Sequence, residues 1–238
     1  MIILNRRFKP SWLLTIITLV AVIIFASLGM WQLDRADFKD AVKAKFESRL
    51  ATDYQRFSAT DSLADIDYRN LILGGEFDVS RTILVDNKLS EGRVGYEVLT
   101  PFILSGSRKV VLVNRGWVAL GNSRDILPTI KSPAVLDEVK GIASVPNTDG
   151  FRMGAVVLTD SWPQVVPFID IDAMQESFPG GLLPLVLWLA PDQAGYYQRN
   201  WDPAWADPEK SRAYALQWFI FALIAVGLYL FLNLRKLE

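Results

Sequence analysis

Ala213-Tyr214-Ala215-Leu216-Gln217-Trp218-Phe219-Ile220-Phe221 opens a run that reaches Leu234 without one charged residue. The run holds 22 residues, and a helix needs roughly 20 to cross the hydrocarbon core of a bilayer. Tyr214 and Trp218 lie one turn apart at its start, where aromatic rings favour the membrane interface. Arg235 and Lys236 close it. A second such run, Ser11 to Leu33, follows a short basic segment with Arg6, Arg7 and Lys9. At 23 residues it exceeds the apolar region of a secretory signal, and no small-x-small cleavage pattern follows it. It reads as a retained first span.

Two spans set the organisation. Residues 1–10 and 235–238 carry the basic flanks, so the positive-inside rule places them in the cytoplasm. Spans 11–33 and 213–234 then enclose a domain, 34–212, on the other side. That domain holds 20 Lys+Arg and 25 Asp+Glu, and long loops translocate largely regardless of charge. Phe38, Val42, Phe46 and Leu50 recur every four residues, which predicts that the first helix continues over 34–50 and lays one face on the domain. Residues 51–67 are polar and read as a linker.

From Tyr68 the pattern is β-rich. Expected strands are 69–77, 82–86, 96–104, 109–120, 138–145, 153–158, 165–169 and 185–189, with a turn at 87–92. Gly74-Gly75 suggests a bulge, and Pro101 suggests an edge or a bulge. Asp170 is placed to cap a short helix ending before Gly180-Gly181. Tyr196, Tyr197, Trp201 and Trp205 lead back to the second span. The expected fold is an α+β membrane protein, two transmembrane helices flanking a mainly antiparallel, barrel-like β domain over 68–190.

Composition narrows the chemistry. There is no Cys and no His. That removes disulfides, thiolate nucleophiles, the commonest general base and the usual haem ligand. The net charge of −1 does not suggest nucleic acid as a partner. No Ser–Lys spacing, carboxylate pair or glycine-rich phosphate loop makes a persuasive catalytic site, so the chain reads as a non-enzyme. Gln32, Arg35 and Lys39 share a helical face just outside the first span. Two cations one turn apart repel, and either lipid phosphate or a bound acidic group would compensate. Gln32 and Gln217, with Thr15, Thr18 and Ser27, either bond across the helix pair or line a cleft at its outer mouth. Arg115 and Trp117, two apart on one strand, make a flat cation–aromatic surface for a planar anion; the alternative is an Arg paired with a sheet carboxylate such as Glu97.

Five short motifs occur in order. They are Gly29-x-Trp31-Gln32-x-x-Arg35-x-x-x-Lys39, Gly74-x-Glu76-Phe77, Gly95-Tyr96-x-Val98-x-Thr100-Pro101, Val113-Asn114-Arg115-Gly116-Trp117-Val118 and Tyr214-Ala215-x-Gln217-Trp218-Phe219. Together with the two spans they resemble the surfeit-locus-one family of cytochrome oxidase assembly factors across essentially the whole chain. The resemblance implies a bacterial inner-membrane protein with a periplasmic domain. It implies help in delivering or inserting haem a into the catalytic subunit of haem–copper oxidase, with that subunit, and the haem a synthesis enzyme, as partners beside the lipid bilayer. The family usually carries a His, proposed to ligate haem, three residues before the Tyr of the last motif; here the position is Ser211. Met30, Lys210 and Tyr214 remain as ligand candidates. Without an iron bond, Arg35, Lys39 or Arg115 would pair with propionates, and Trp31, Tyr214 and Trp218 would stack on the ring. An oxidase scaffold without haem is the competing expectation.

Overall fold

The first apolar run carries no Gly or Pro between Trp12 and Leu28, and its only interruption, Gly29, lies in good helix formers. The computed structural model shows one helix there. It describes the chain apart from residues 1, 4, 5, 122, 134, 135, 147–154, 195, 196, 200, 202–206, 237 and 238. In chain order the elements are β1 (Ile2–Ile3), β2 (Arg6–Phe8), α1 (Trp12–Leu50), β3 (Gln55–Phe57), β4 (Asn70–Phe77), β5 (Ile83–Ser90), β6 (Arg93–Leu104), β7 (Val110–Ala119), β8 (Glu138–Ser144), β9 (Gln164–Val166), α2 (Ile171–Met174), β10 (Leu182–Leu189), α3 (Pro208–Asn233) and β11 (Leu234–Lys236). The chain divides into two compact units, residues 1–45 with 203–238, and residues 46–202.

The first unit is a helical hairpin with a three-stranded sheet, β1-β2-β11, at its chain ends. Both helices are long and apolar enough to cross a membrane. Asp207 starts α3 by accepting from the Lys210 amide at 3.2 Å, with Pro208 in the first helical turn. A carboxylate cap followed by Pro is a strong helix-start signal.

The second unit is a β-barrel. Strands β4, β8, β10, β7 and β6 form a closed ring, because β4 pairs β8 over Asn70–Gly74 and then β6 over Gly75–Phe77. The β10–β7 pair is parallel and the other ring pairs are antiparallel. Labelled in chain order within the ring, the strands run 1-2-3-5-4, the arrangement of five-stranded OB-type barrels. Gly75 sits where the ring closes. Its φ is +155°, and a Cβ there would lie 2.0 Å from the Ile103 carbonyl oxygen.

Inward residues from all five strands fill the barrel, among them Leu71, Leu73, Phe102, Leu104, Val111, Val113, Val139 and Leu187. Outside it, Ile171, Met174 and Phe178 cover Ile83, Val85, Leu99 and Leu112. Asp170 caps α2 by accepting from the Ala173 amide at 3.1 Å.

Several expectations need correction. The 51–67 segment is more than a linker: β3 pairs parallel to β4, and Phe57 and Ile66 are buried in the core. The turn expected at 87–92 is shorter. Asn87, at φ 58°, forms a bulge between Val85 and Lys88, and the strand runs on to Ser90. Asn tolerates this left-handed conformation, so the strand bends without ending. Pro101 lies inside the longest strand, opposite Leu112. It sits where β6 passes from β5, last paired at Leu99, to β4, first paired at Phe102. Its missing N–H therefore costs no ladder bond, while its carbonyl accepts from Asp78. Residues 155–158 are not a strand, although Val156 is buried; Met153, Gly154, Tyr196 and Trp205 lie outside the described residues. Of the four apolar residues on the α1 extension, Phe46 is buried, edge-on to Tyr68 at 5.3 Å, whereas Phe38 and Leu50 stay exposed.

Candidate functional site

The helical hairpin brings the first and last motifs together. Its seam is lined by small or slender residues: Gly29, Ala36, Ser211 and Ala215 are all buried. A Cβ at Gly29 would stand 2.6 Å from the Phe219 ring, so this glycine lets the ring seat against α1. Phe25 stacks on Trp218 with centroids 5.9 Å apart.

Lys39 supplies the polar end of the seam. Its Nζ donates to Ser211 Oγ at 3.0 Å and to the Asp207 carbonyl at 3.0 Å. Beside it, Arg212 pairs with both Asp40 and Glu209. At the other end Ser11 donates to Asn233 Oδ1 at 2.8 Å, and Thr15 shares a 2.9 Å hydrogen bond with the Tyr229 hydroxyl. Sequence reasoning named Thr15, beside Gln32 and Gln217, for a bond across the helix pair, and Thr15 makes one; the Lys39–Ser211 and Ser11–Asn233 bonds were missed. Gln32 does lie in the seam, 9% exposed, but Gln217 faces outward on α3. The legible signal was spacing: Ser211, Ala215 and Phe219 repeat at i, i+4 and i+8, one face of α3.

The exposed side of the same end carries other expected residues. Trp31 and Tyr214 are about half exposed, and Arg35 lies over the Trp31 ring at 4.9 Å. The repulsion expected between Arg35 and Lys39 is relieved within the chain. Lys39 turns to oxygen acceptors on α3, and Arg35 turns to an aromatic face.

Arg115 and Trp117 sit in the barrel unit and do not form an exposed surface. Gly116, at φ +117°, belongs to a bulge: the register passes from Glu97–Trp117 to Leu99–Asn114. Arg115, 1% exposed, donates to Thr100 Oγ1 at 3.3 Å and to the Lys131 carbonyl at 2.7 Å, with Tyr197 stacked 5.1 Å away. Glu97, the carboxylate considered for it, accepts from Asn114 at 3.0 Å and faces Lys88. Trp117 is 9% exposed; its Nε1 donates to the Lys88 carbonyl at 2.9 Å, and Arg93 covers its ring. Gly95 makes room for that ring, since a Cβ there would lie 2.6 Å from it. The central motifs thus build the barrel. A cleft of about 340 Å³ opens beside Arg115, lined also by Ser80, Thr82, Ile130, Lys131 and Trp162. Nearby, burial pushes the Tyr96 phenol above its ordinary value, as does the charge of Asp86, against Arg124.

The chemistry of the donor set can be set against haem a. Ser211 is 3% exposed, and its hydroxyl is held by Lys39. A buried, engaged hydroxyl does not fit an axial iron ligand. The exposed Trp31–Arg35 pair and Tyr214 do fit the rim of a planar, anionic molecule.

The sequence profile described as the SURF1 family matches residues 19–223. The chain belongs to the SURF1 family. All five motifs fall inside that match. The cytochrome oxidase assembly protein SHY1 of Saccharomyces cerevisiae is 30% identical over 118 residues, covering 48% of this chain and 30% of the relative. A SURF1-like protein of Dictyostelium discoideum is 26% identical over 142 residues, covering 56% and 51%. Surfeit locus protein 1 of Mus musculus is 31% identical over 123 residues, covering 45% and 39%. The chain thus aligns with about half, or less, of each of these relatives.

The Lys39 contacts make a direct prediction. A charge-assisted hydrogen bond is worth roughly 1.5–3 kcal/mol, so Lys39→Met should loosen this end of the hairpin. Spin labels at the exposed positions 38 and 214 should show a narrow distance distribution in the parent and a broad one in Lys39→Met. An unchanged distribution would mean that Gly29–Phe219 packing alone holds the end.

Proposed function

We propose that this SURF1-family chain is a two-span membrane protein that assists assembly of haem–copper cytochrome oxidase. One observation carries the reading: the first motif, 29–39, and the start of the helix that carries the last motif, 214–219, far apart in sequence, meet in one seam with Lys39 on Ser211. The name of the yeast relative supports the same role. In this reading the spans are 11–33 and 213–234, in a bacterial inner membrane. The basic flanks are cytoplasmic and the domain 34–212 is periplasmic. The catalytic subunit of the oxidase is the partner, with the haem a synthesis enzyme upstream.

Haem a is the cargo in this proposal, contacted transiently through Trp31, Arg35 and Tyr214, without an iron bond from position 211. Gln32, Lys39, Gln217 and Trp218 shape the helix pair that presents them. Arg115 and Trp117 act on the barrel rather than on haem. The chain itself breaks no bond.

Cells lacking the chain should keep normal haem a synthesis while haem a-containing oxidase falls several-fold, read from difference spectra of membranes. Normal oxidase would sink the assembly role. The buried Ser211 hydroxyl favours a second reading, a protein–protein scaffold without haem. The protein purified from cells that make haem a separates the two. A Soret band weakened in Arg35→Gln supports the cargo contact, and a colourless protein that still captures oxidase subunits supports the scaffold.

A further inference from the structure

The cleft beside Arg115 holds a donor that the barrel leaves unused. Thr82 lines the cleft and is 6% exposed, yet its hydroxyl makes no hydrogen bond among the described residues. Burying a hydroxyl without a partner is unfavourable. Arg115 and Lys131 line the same cleft, with Leu127, Ile130 and Trp162 as apolar walls. No Asp or Glu is among the described lining residues. A recess with cations of one sign and apolar walls concentrates positive potential.

The walls are fixed before any ligand arrives. Arg115 donates to the Lys131 carbonyl at 2.7 Å, and the Lys131 amide donates to the Tyr197 hydroxyl at 2.8 Å. This pins segment 127–132 as one side. The Gln164 amide donates to the Thr82 carbonyl at 3.0 Å, which ties the side at Thr82 to the side at Trp162 and Pro163. The cleft therefore lies between the chain joining the first and second ring strands, β4 and β6, and the chain joining the fourth and fifth, β8 and β10. Arg115 belongs to the third, β7. In five-stranded OB-type barrels those connections flank the ligand face. At about 340 Å³ the cleft is at the small end of ligand pockets, which run from roughly 300 to 1,000 Å³.

We infer that this cleft binds an organic carboxylate with an apolar body, the chemistry shared by a peptide C-terminus and a small apolar acid. The Thr82 hydroxyl donates to a carboxylate oxygen, Lys131 meets the charge from the exposed rim, and the apolar part packs on Ile130 and Trp162. Arg115 is a positioning residue here. It pins the Lys131 wall and adds positive potential beneath it. The inference stands apart from the assembly role and from haem contact at the hairpin.

The test is equilibrium dialysis of the full chain, in detergent micelles, against radiolabelled N-acetyl-leucyl-leucine. The parent should bind the acid, and the C-terminal amide of the same peptide should bind roughly ten-fold more weakly. Lys131→Gln should weaken the acid by about three-fold, as expected for an exposed ion pair, and Lys131→Arg should match the parent. Thr82→Val should weaken it by roughly ten-fold. The same variant should raise the unfolding midpoint of the ligand-free chain, because it removes a buried donor that the fold leaves without a partner. Isovalerate that competes as well as the peptide supports a small acid as the source, and weak competition by it supports a peptide terminus. No binding of the acid at millimolar concentration would overturn the inference. So would equal binding of acid and amide, equal competition by inorganic phosphate, or a Thr82→Val chain with a lowered midpoint and unchanged affinity.

Discussion

Gly116→Ala should unfold the barrel unit at ordinary growth temperature. At φ +117° the backbone occupies a region that residues with a Cβ rarely adopt, and such strain costs about 1–3 kcal/mol. The new Cβ would also stand 2.6 Å from the Gln198 carbonyl oxygen and 2.9 Å from the Tyr197 Cβ. That oxygen accepts from the Trp117 amide at 2.7 Å, and Gln198 donates back to Trp117 at 3.2 Å. Relief of the clash opens both bonds, each worth about 1 kcal/mol, and lifts Tyr197 from Arg115. The sum, roughly 3–5 kcal/mol, approaches the whole stability of a marginal domain. Urea unfolding of the full chain, followed by near-ultraviolet circular dichroism, reads this directly. Gly106→Ala is the control. Its φ is +73° with no atom within 4 Å of a Cβ, so only a conformational cost of about 1–2 kcal/mol applies. Equal losses in the two variants would show that the Gln198 contact is immaterial.

Arg115→Met should cost about 3 kcal/mol, since it removes two donors from a buried site and leaves the Thr100 hydroxyl without its guanidinium partner. Arg115→Lys should recover only part of that, because an ammonium cannot reproduce the fork that spans Thr100, Lys131 and the Tyr197 face. The opposite sign is informative. Replacing a buried charge by an apolar residue can stabilise a protein when the charge is retained for another purpose. A gain in the unfolding midpoint of Arg115→Met would therefore return Arg115 to the list of ligand-binding residues and point to the adjacent cleft.

The fold was legible where a local signal matched a global one. Two uncharged runs of spanning length gave two long helices, and alternating β-rich segments between Gly, Asn and Pro gave most of the barrel strands. Asp170 was readable as a cap because its carboxylate satisfies a helix-end amide at a fixed offset. Features set by partners far away in the chain were not legible. The sequence of Pro101 does not say that its two neighbours hand over at that residue. Residues 55–57 look polar because only Phe57 of the three faces the core. The same limit applied to the candidate site. Helical spacing marked Arg35 and Lys39, and the family motif marked Trp31, but pairing Lys39 with Ser211 needs the register of two helices 172 residues apart. Arg115 and Trp117 were correctly singled out as unusual. Their alternation implied a shared exposed face, and the Gly116 bulge and the Gly95 cavity bury them instead.

The helix seam has a consequence for how the protein comes into being. Its hydrogen bonds join residues 172, 214 and 222 positions apart, so the seam closes over almost the entire polypeptide. At translation speeds of about 5–20 residues per second, α1 waits on the order of ten seconds or more before α3 leaves the ribosome. During that interval residues 46–202 are already available to fold among themselves. Contacts of such long separation form late, after the entropy of closing the intervening chain has been overcome. Lys39, Gly29 and Thr15 therefore serve the last step of maturation. Faults in them should yield chains with a finished barrel and an unzipped pair of helices, a population that limited proteolysis of newly made protein would resolve from fully matured molecules.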